Sequence, residues 1–352
     1  MRATSFAISL ALVGASVAFP TSSGAGAAGY PFTDSPSKRQ TTDFDSVNQK
    51  IDVSGEHEFR PPQSEDKRGP CPALNAMANH GYINRNGLTN LYEATSASNK
   101  VYGLGNDAAA AFAIMGVIYG GDPSTGDFSI GMDPKPGLSG THNKMEGDAS
   151  PTRNDAHVNN GDASTLDLNY FKRLYNSVPG MESAEGESAH FDMNTMAVHR
   201  DWTRNQSIAV NPHYFTYSSF FSGPIQVVFV STLAHLLLPQ LVANHSVEHP
   251  GGILNHNGLK DFYSVTGSGT SLSYTPGHER ISENWYRRRD DYTIANVLQD
   301  FAKIIPKYPQ FLSIGGNTGK ANSFAGIDPG NLTDGVYNAR NLLEGNNMMC
   351  FV

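Results

Sequence analysis

The sequence predicts a mainly α-helical protein with long loops. Apolar residues recur at helical spacing in several segments, each closed by Gly or Pro. No period-two strand series and no internal repeat stand out. Gly (35) and Pro (20) are plentiful among 352 residues but follow no collagen-like period, so they mark loops. Hydrophobic residues make up 39% and charged residues 16%, the balance of a globular chain rather than a disordered acidic one.

The N-terminus comes first. Arg2, the apolar run Phe6 to Val13 and the small residues Ser16-Val17-Ala18 form the n-region, h-region and cleavage site of a secretory signal over residues 1–18. Residues 19–39 are rich in Gly, Ala, Ser and Pro and end in Lys38-Arg39. Such a stretch cannot bury a core, and the dibasic pair reads as a propeptide processing site or as a solvated charge pair. Residues 40–352 then form one domain. A secreted chain fits the three N-x-S/T acceptors at Asn205, Asn244 and Asn331.

Residues 44–69 are polar and extended. Asp107 to Tyr119 is an Ala-rich helix stopped by Gly120-Gly121, and residues 121–161 read as a long ordered loop. Leu166, Tyr170, Phe171 and Leu174 mark a helix ended by Pro179-Gly180. Another helix runs from Met193 to Ala209, before Asn211-Pro212. Ile294, Val297, Leu298, Phe301 and Ile305 mark a last helix, closed by Pro306. The most apolar segment, Ile225 to Val242, contains Gln226, His235, Pro239 and Gln240. A membrane helix needs about 20 predominantly apolar residues, so this reads as a buried core helix broken at Pro239 and not as a membrane span.

The formal net charge is −8, which argues against nucleic acid as a partner, since phosphate binding needs concentrated Lys and Arg. Two cysteines, Cys71 and Cys350, exclude a disulfide-stapled scaffold. Pro72 suits the first turn of a helix, Ala73 to Ala78 propagate it and Gly81 closes it, so Cys71 sits at a helix N-terminus. The dipole there lowers a thiol pKa, and the thiolate is a nucleophile or a metal ligand. A buried structural cysteine is the plainer alternative. No base partner for a nucleophile can be assigned from spacing. One Cys suffices as ligand for haem, which brings four nitrogens of its own.

Pro70-Cys71-Pro72, followed by Ala73-Leu74-Asn75 and Ala78-Asn79-His80-Gly81-Tyr82, resembles the proximal motif of the fungal haem-thiolate peroxidases, the chloroperoxidase and unspecific peroxygenase family. Glu146-Gly147-Asp148-Ala149-Ser150-Pro151-Thr152-Arg153 resembles that family's second signature in its longer peroxygenases. Weaker similarity continues through Ser207 to Pro212 and Glu279 to Trp285. The resemblance implies a single chloroperoxidase-like helical domain with long loops around a buried haem b. It implies Cys71 as axial ligand of the iron, where a thiolate pushes electron density that favours O–O cleavage of peroxide. It also implies that the Glu146 carboxylate, the Gly147 carbonyl and the Ser150 hydroxyl hold Mg²⁺ or Mn²⁺ beside a haem propionate. Hard cations take such oxygen ligands. Asp148 and Arg153 would brace that loop. The implied activity is oxidation or oxygenation of an aromatic or apolar organic substrate by hydrogen peroxide. The family includes enzymes of fungal secondary metabolism, such as those of sterigmatocystin and dothistromin.

The pattern departs from the family on the distal side. There the long peroxygenases carry an Arg and a Glu on a Phe-Phe helix after the Asn-Pro motif. Ser219 and Gln226 fall at those places, and no Asp or Glu occurs between Trp202 and Ala243. Gln can orient a peroxide but cannot take its proton. Either His213 or His235 substitutes, or turnover is slow and the protein mainly binds haem. Phe215, Phe220, Phe221 and Phe229 suit an aromatic substrate, or simply pack the core. A competing motif, His245-Ser246-Val247-Glu248-His249, matches the H-x-x-E-H zinc-peptidase pattern, although Pro250-Gly251-Gly252 follows at once. Finally, with Cys71 on iron, Cys350 has no partner within the chain. In an oxidising compartment it would bridge a homodimer or remain a thiol.

Overall fold

The computed structural model describes residues 44–131, 148–178, 190–214, 223–313 and 315–326, without the side chains of 223–229. All belong to one compact unit, Thr42–Val352. The expected signal and propeptide, Glu146, Gly147, Phe215, Ser219, Phe220, Phe221, Asn331 and Cys350 lie outside the described residues, as do the side chains of Gln226 and Phe229.

Among the described residues the chain is built from eight helices: α1 (Pro72–Asn79), α2 (Leu91–Tyr102), α3 (Asn106–Gly120), α4 (Leu168–Tyr175), α5 (Met193–Val210), α6 (Gly223–Leu241), α7 (His256–Phe262) and α8 (Ile294–Ile304). Strand pairing is minor and antiparallel. Strands β1 (Leu88–Asn90), β2 (Gly121–Asp122) and β3 (Asp127–Ser129) form a sheet in the order β1-β3-β2. Two further pairs join β4 (Val265–Thr266) to β5 (Ser273–Tyr274) and β6 (Gly315–Gly316) to β7 (Ala325–Gly326). None of these strands is long enough to show a period-two pattern.

Helix starts follow capping chemistry. The Asn90 side chain accepts from the N–H groups of Tyr92 and Glu93 and starts α2. Asp167, Asp192 and Asn255 do the same for α4, α5 and α7. Gly103, at φ +64°, ends α2 in the left-handed conformation that glycine adopts without strain. The sequence pattern located α3, α5 and α8 to within two residues at either end. It placed Leu166 in α4, but Leu166 precedes that helix and bridges Arg153. Pro239 does not break α6, which runs on to Leu241. Its missing N–H would have met the His235 carbonyl one turn earlier.

The core has two parts. One gathers α1, α2, α4, α7 and Trp285, with Met77, Phe171 and Leu174 fully buried. The other joins the start of α3 to α5, α6 and α8 through Ala108, Ala197, Leu236 and Phe301. No helix among the described residues is long and apolar enough to cross a membrane.

Where α5 meets α6, the rings of His199 and His235 lie 5.6 Å apart, both buried. Burial holds His199 down at about 4 and His235 well below its ordinary value, so both stay neutral. The unfolded chain protonates them near pH 6.5, and the folded chain does not. Their contribution to stability is therefore present above about pH 6.5 and is lost as pH falls towards the folded value. For His199 alone the loss should reach about 3 kcal/mol by about pH 4. Denaturant unfolding across that range measures it, and a flat profile above pH 5 would contradict neutral burial.

Candidate active site

Cys71 is the N-cap of α1, half-buried, with Pro72 in the first turn. Its carbonyl oxygen accepts from the Asn75 N–H at 3.1 Å. Asn75 then clamps the preceding loop at two points. Its Oδ1 accepts from the Gly69 N–H at 3.0 Å, and its Nδ2 donates to the Gly69 carbonyl at 2.7 Å. Asn79, one turn on and fully buried, accepts from Arg68 Nε and Nη2 at 2.9 and 2.7 Å. It donates to the carbonyls of Gly277 and Glu279, both at 2.8 Å. On the other flank Gly69 lies against Ile130, where an added Cβ would sit 1.9 Å from the carbonyl oxygen. The sulfur is thus delivered by a loop fixed from three sides.

Buried polar groups surround this element. Burial first, and the neighbouring Cys71 sulfur second, push the Tyr102 hydroxyl above the phenol range. Tyr263, with Arg153 over its ring at 5.7 Å, is pushed up to about 12, mainly by burial. Glu279 is 1% exposed, and burial raises its carboxyl against the pull of Arg153, Asn75 and Arg68.

The second motif is a tight loop braced from α5 and α6. Ala149 is fully buried at φ +61°, a conformation most side chains avoid. Asp155 holds it: its Oδ1 accepts from the Ala149 N–H at 2.9 Å and from Ser207 Oγ at 2.8 Å. Asn211 Nδ2 bridges Asp155 at 3.0 Å and Asp148 at 2.9 Å. Thr203 Oγ1 lies 3.2 Å from the Ala149 carbonyl oxygen, and His199 Nε2 donates to the Pro151 carbonyl at 2.8 Å. Arg153 donates from Nη1 to Thr152 Oγ1 at 2.7 Å and from Nε to the Ser164 carbonyl at 3.2 Å. Asp148 and Arg153 are struts of the loop, as expected. Ser150 is half-buried and accepts from the Arg153 N–H at 3.3 Å.

The remaining candidates scatter. Gln226 lies in the first turn of α6 by its backbone. His235 is enclosed, its Nδ1 donating to the Ser231 carbonyl at 2.8 Å and its Nε2 paired with Thr203 Oγ1 at 3.3 Å. His213 is exposed, 4.4 Å from the ring of His157. The H-x-x-E-H segment is not helical, so His245 and His249 share no helix face. His245 is buried against the Tyr286 carbonyl while Glu248 is exposed. No group of three metal-ligating side chains exists among the described residues, and the zinc-peptidase reading fails there. Asn205 and Asn244 are exposed.

The model of Peroxidase, family 2 matches residues 57–290. The chain belongs to this family. The aromatic peroxidase fscJ of Fusarium equiseti is 42% identical, over 88% of this chain and 72% of that protein. The dothistromin biosynthesis peroxidase dotB of Dothistroma septosporum is 41% identical, over 90% of this chain and 75% of that protein. An aromatic peroxygenase of Coprinellus radians is 29% identical, over 60% and 80% respectively. The protein is therefore a peroxidase, an oxidoreductase that uses peroxide, of a family whose cofactor is haem. The donor set agrees. A lone sulfur at a helix N-terminus cannot hold a bare ion, but it suits haem, which brings four nitrogens of its own.

Asp155 escaped the sequence reading. Two of its partners, Ser207 and Asn211, lie 52 and 56 residues further on, beyond any local spacing. Removing it should destabilise the peroxidase by about 3–5 kcal/mol, because Asp155→Ala leaves Ala149, Ser207 and Asn211 donors buried and unpaired. Asp155→Asn should lose much less, since its amide oxygen keeps the first two bonds. Equal denaturant midpoints for Asp155→Ala and the parent would refute the hub.

Proposed function

We propose that this peroxidase uses hydrogen peroxide to oxidise or oxygenate an aromatic substrate in fungal secondary metabolism, and that it is secreted. The observation that carries it is Cys71, held at the N-terminus of α1 by the Asn75 clamp. The names of the relatives, an aromatic peroxidase, an aromatic peroxygenase and a dothistromin biosynthesis peroxidase, support the substrate class.

Haem, when bound, supplies the redox centre at which peroxide is reduced. Cys71 would hold its iron through sulfur. The helix N-terminus would favour the thiolate, since backbone N–H groups and the dipole favour an anion. Ser150, with Glu146 and the Gly147 carbonyl, would hold Mg²⁺ or Mn²⁺ and so neutralise a propionate. Gln226 would hydrogen-bond a peroxide without accepting its proton. Of the two histidines, His235 is the weaker substitute, since both its ring nitrogens are engaged and burial keeps it neutral. His213 is exposed and its ring is available to solvent. Cys350 would form an intermolecular disulfide in the secreted protein.

Two cysteine variants separate the two sulfur roles. Cys71→Ala should abolish the thiolate-type absorption of the reduced carbon monoxide complex, whereas Cys350→Ala should keep it and run as monomer on a non-reducing gel. Persistence of the band in Cys71→Ala sinks the ligand assignment. Loss of bound metal from Glu146→Gln with Ser150→Ala, assayed on the same preparation, tests the cation loop.

Gln226→Glu should speed the reaction with hydrogen peroxide by about 10²–10⁴-fold, the worth of general acid–base help. Stopped-flow spectroscopy reads this. If the rate is unchanged while His213→Ala abolishes it, the histidine carries the proton and the parent is a slow peroxidase for another reason.

A further inference from the structure

A groove of about 840 Å³ opens at the end of α1 remote from Cys71. His80, which ends α1, lines it, and Cys71 does not. Nine residues of helix put them about 13 Å apart along the axis. Among the groove's lining are the apolar Val242, Ile253 and Trp285. Around it stand Asn255, Asn257 and Ser282. Three carboxylates, Glu58, Asp261 and Glu283, share the lining with two cations, Lys260 and Arg280, so no single sign dominates. Arg280 lies over the Phe59 ring at 4.3 Å, and Ser282 Oγ donates to Asp261 Oδ2 at 2.6 Å. Amides, a hydroxyl and charges of both signs along the lining, with apolar residues among them, suit a neutral polyhydroxylated ligand, whose hydroxyls need both donors and acceptors.

One lining residue supplies such a ligand covalently. Asn244 is exposed on the groove wall and opens the acceptor triplet Asn244-His245-Ser246. Its amide oxygen accepts from the Tyr286 N–H at 2.8 Å, which fixes the amide plane. Its nitrogen makes only a long contact, 3.5 Å to the Asn284 carbonyl. Backbone pairing of Asn244 with Ile253 holds the residue at the edge.

We propose that Asn244 carries an N-linked glycan whose first sugars lie in this groove. The inference rests on the secreted reading above. The modification joins Asn244 Nδ2 to C1 of the first sugar. The C1–oxygen bond to a lipid pyrophosphate donor breaks, Nδ2 gives up one proton and the lipid pyrophosphate leaves. The seated sugars cover the partly exposed Ile253 and close the groove as a fixed part of the surface.

The test uses the full chain secreted from a glycosylating host. Mass spectrometry of tryptic peptides reads occupancy at Asn244 and Asn205. An endoglycosidase that cuts after the first sugar is applied to native and to denatured protein. Release at Asn244 should be about tenfold slower in the native state, the effect of an association worth about 1.4 kcal/mol. Amide exchange of segments 255–267 and 280–285 should be slower in the glycosylated protein than in Ser246→Ala, which lacks the acceptor triplet but keeps Asn244. Glycan at Asn244 released equally fast in both states, with unchanged exchange, overturns the groove assignment and leaves secretion standing. Secreted protein with Asn244 unmodified also overturns it. A chain that is retained in the cell and carries no glycan at any acceptor overturns both readings.

Discussion

A single sulfur proposed as an axial ligand would have to be kept charged and kept in place. Both demands fall on residues 68–79. The N-terminus of α1 supplies the field that favours thiolate, and Asn75 and Asn79, four apart, face the same way along the helix. One clamps Gly69 and the other takes Arg68 and reaches across to 277–279. Leu at either position would keep the helix and lose the clamp. Polar residues inside this part of the core are therefore there for geometry, beside the apolar burial of Ala76, Met77 and Ala78.

The same solution recurs at the Ala149 loop. A left-handed alanine costs about 1 kcal/mol or more, so it persists only where its surroundings impose it. Asp155, Ser207, Asn211 and Thr203 impose it, and they come from two turns and a long helix. This accounts for the polar stripe on an otherwise apolar α6. Ser231 reaches the Ala149 carbonyl at 3.4 Å, and His235 meets Thr203. These residues make α6 poor material for a bilayer and good material for holding a loop.

Legibility in the sequence followed these physical differences. Helices with a clear apolar face or an Ala-rich run, α8 and α3, could be read directly, and α5 by its stop at Asn211-Pro212. Helices α2 and α7 were not read, because their identity lies in the caps Asn90 and Asn255 more than in apolar period. Pro239 misled, since a proline near a helix C-terminus removes one bond without ending the helix. At the site, Cys71 was legible because Pro72 marks a first turn. The clamp by Asn75 and the hub at Asp155 were not, since each is defined by a partner folded onto it. The H-x-x-E-H motif failed for the complementary reason: its spacing needs a helix, and residues 244–250 form none.

The distal side poses a different question, whether the fold itself excludes a carboxylate. Gln226 stands in the first turn of α6, four residues from its start at Gly223 counted inclusively. A negative charge is favoured at such a place by about 0.3–1 kcal/mol through the helix dipole. The backbone would therefore accept Glu there at least as readily as Gln. What changes with glutamine is the chemistry. An amide orients a peroxide, but its oxygen is too weak a base to take a proton at neutral pH. Relative to the long peroxygenases the chain resembles, the difference at this position lies in proton transfer and leaves the scaffold for the thiolate untouched. The residues proposed for the proximal and distal functions sit on separate elements, α1 with its clamp and the start of α6. One can change while the other stays.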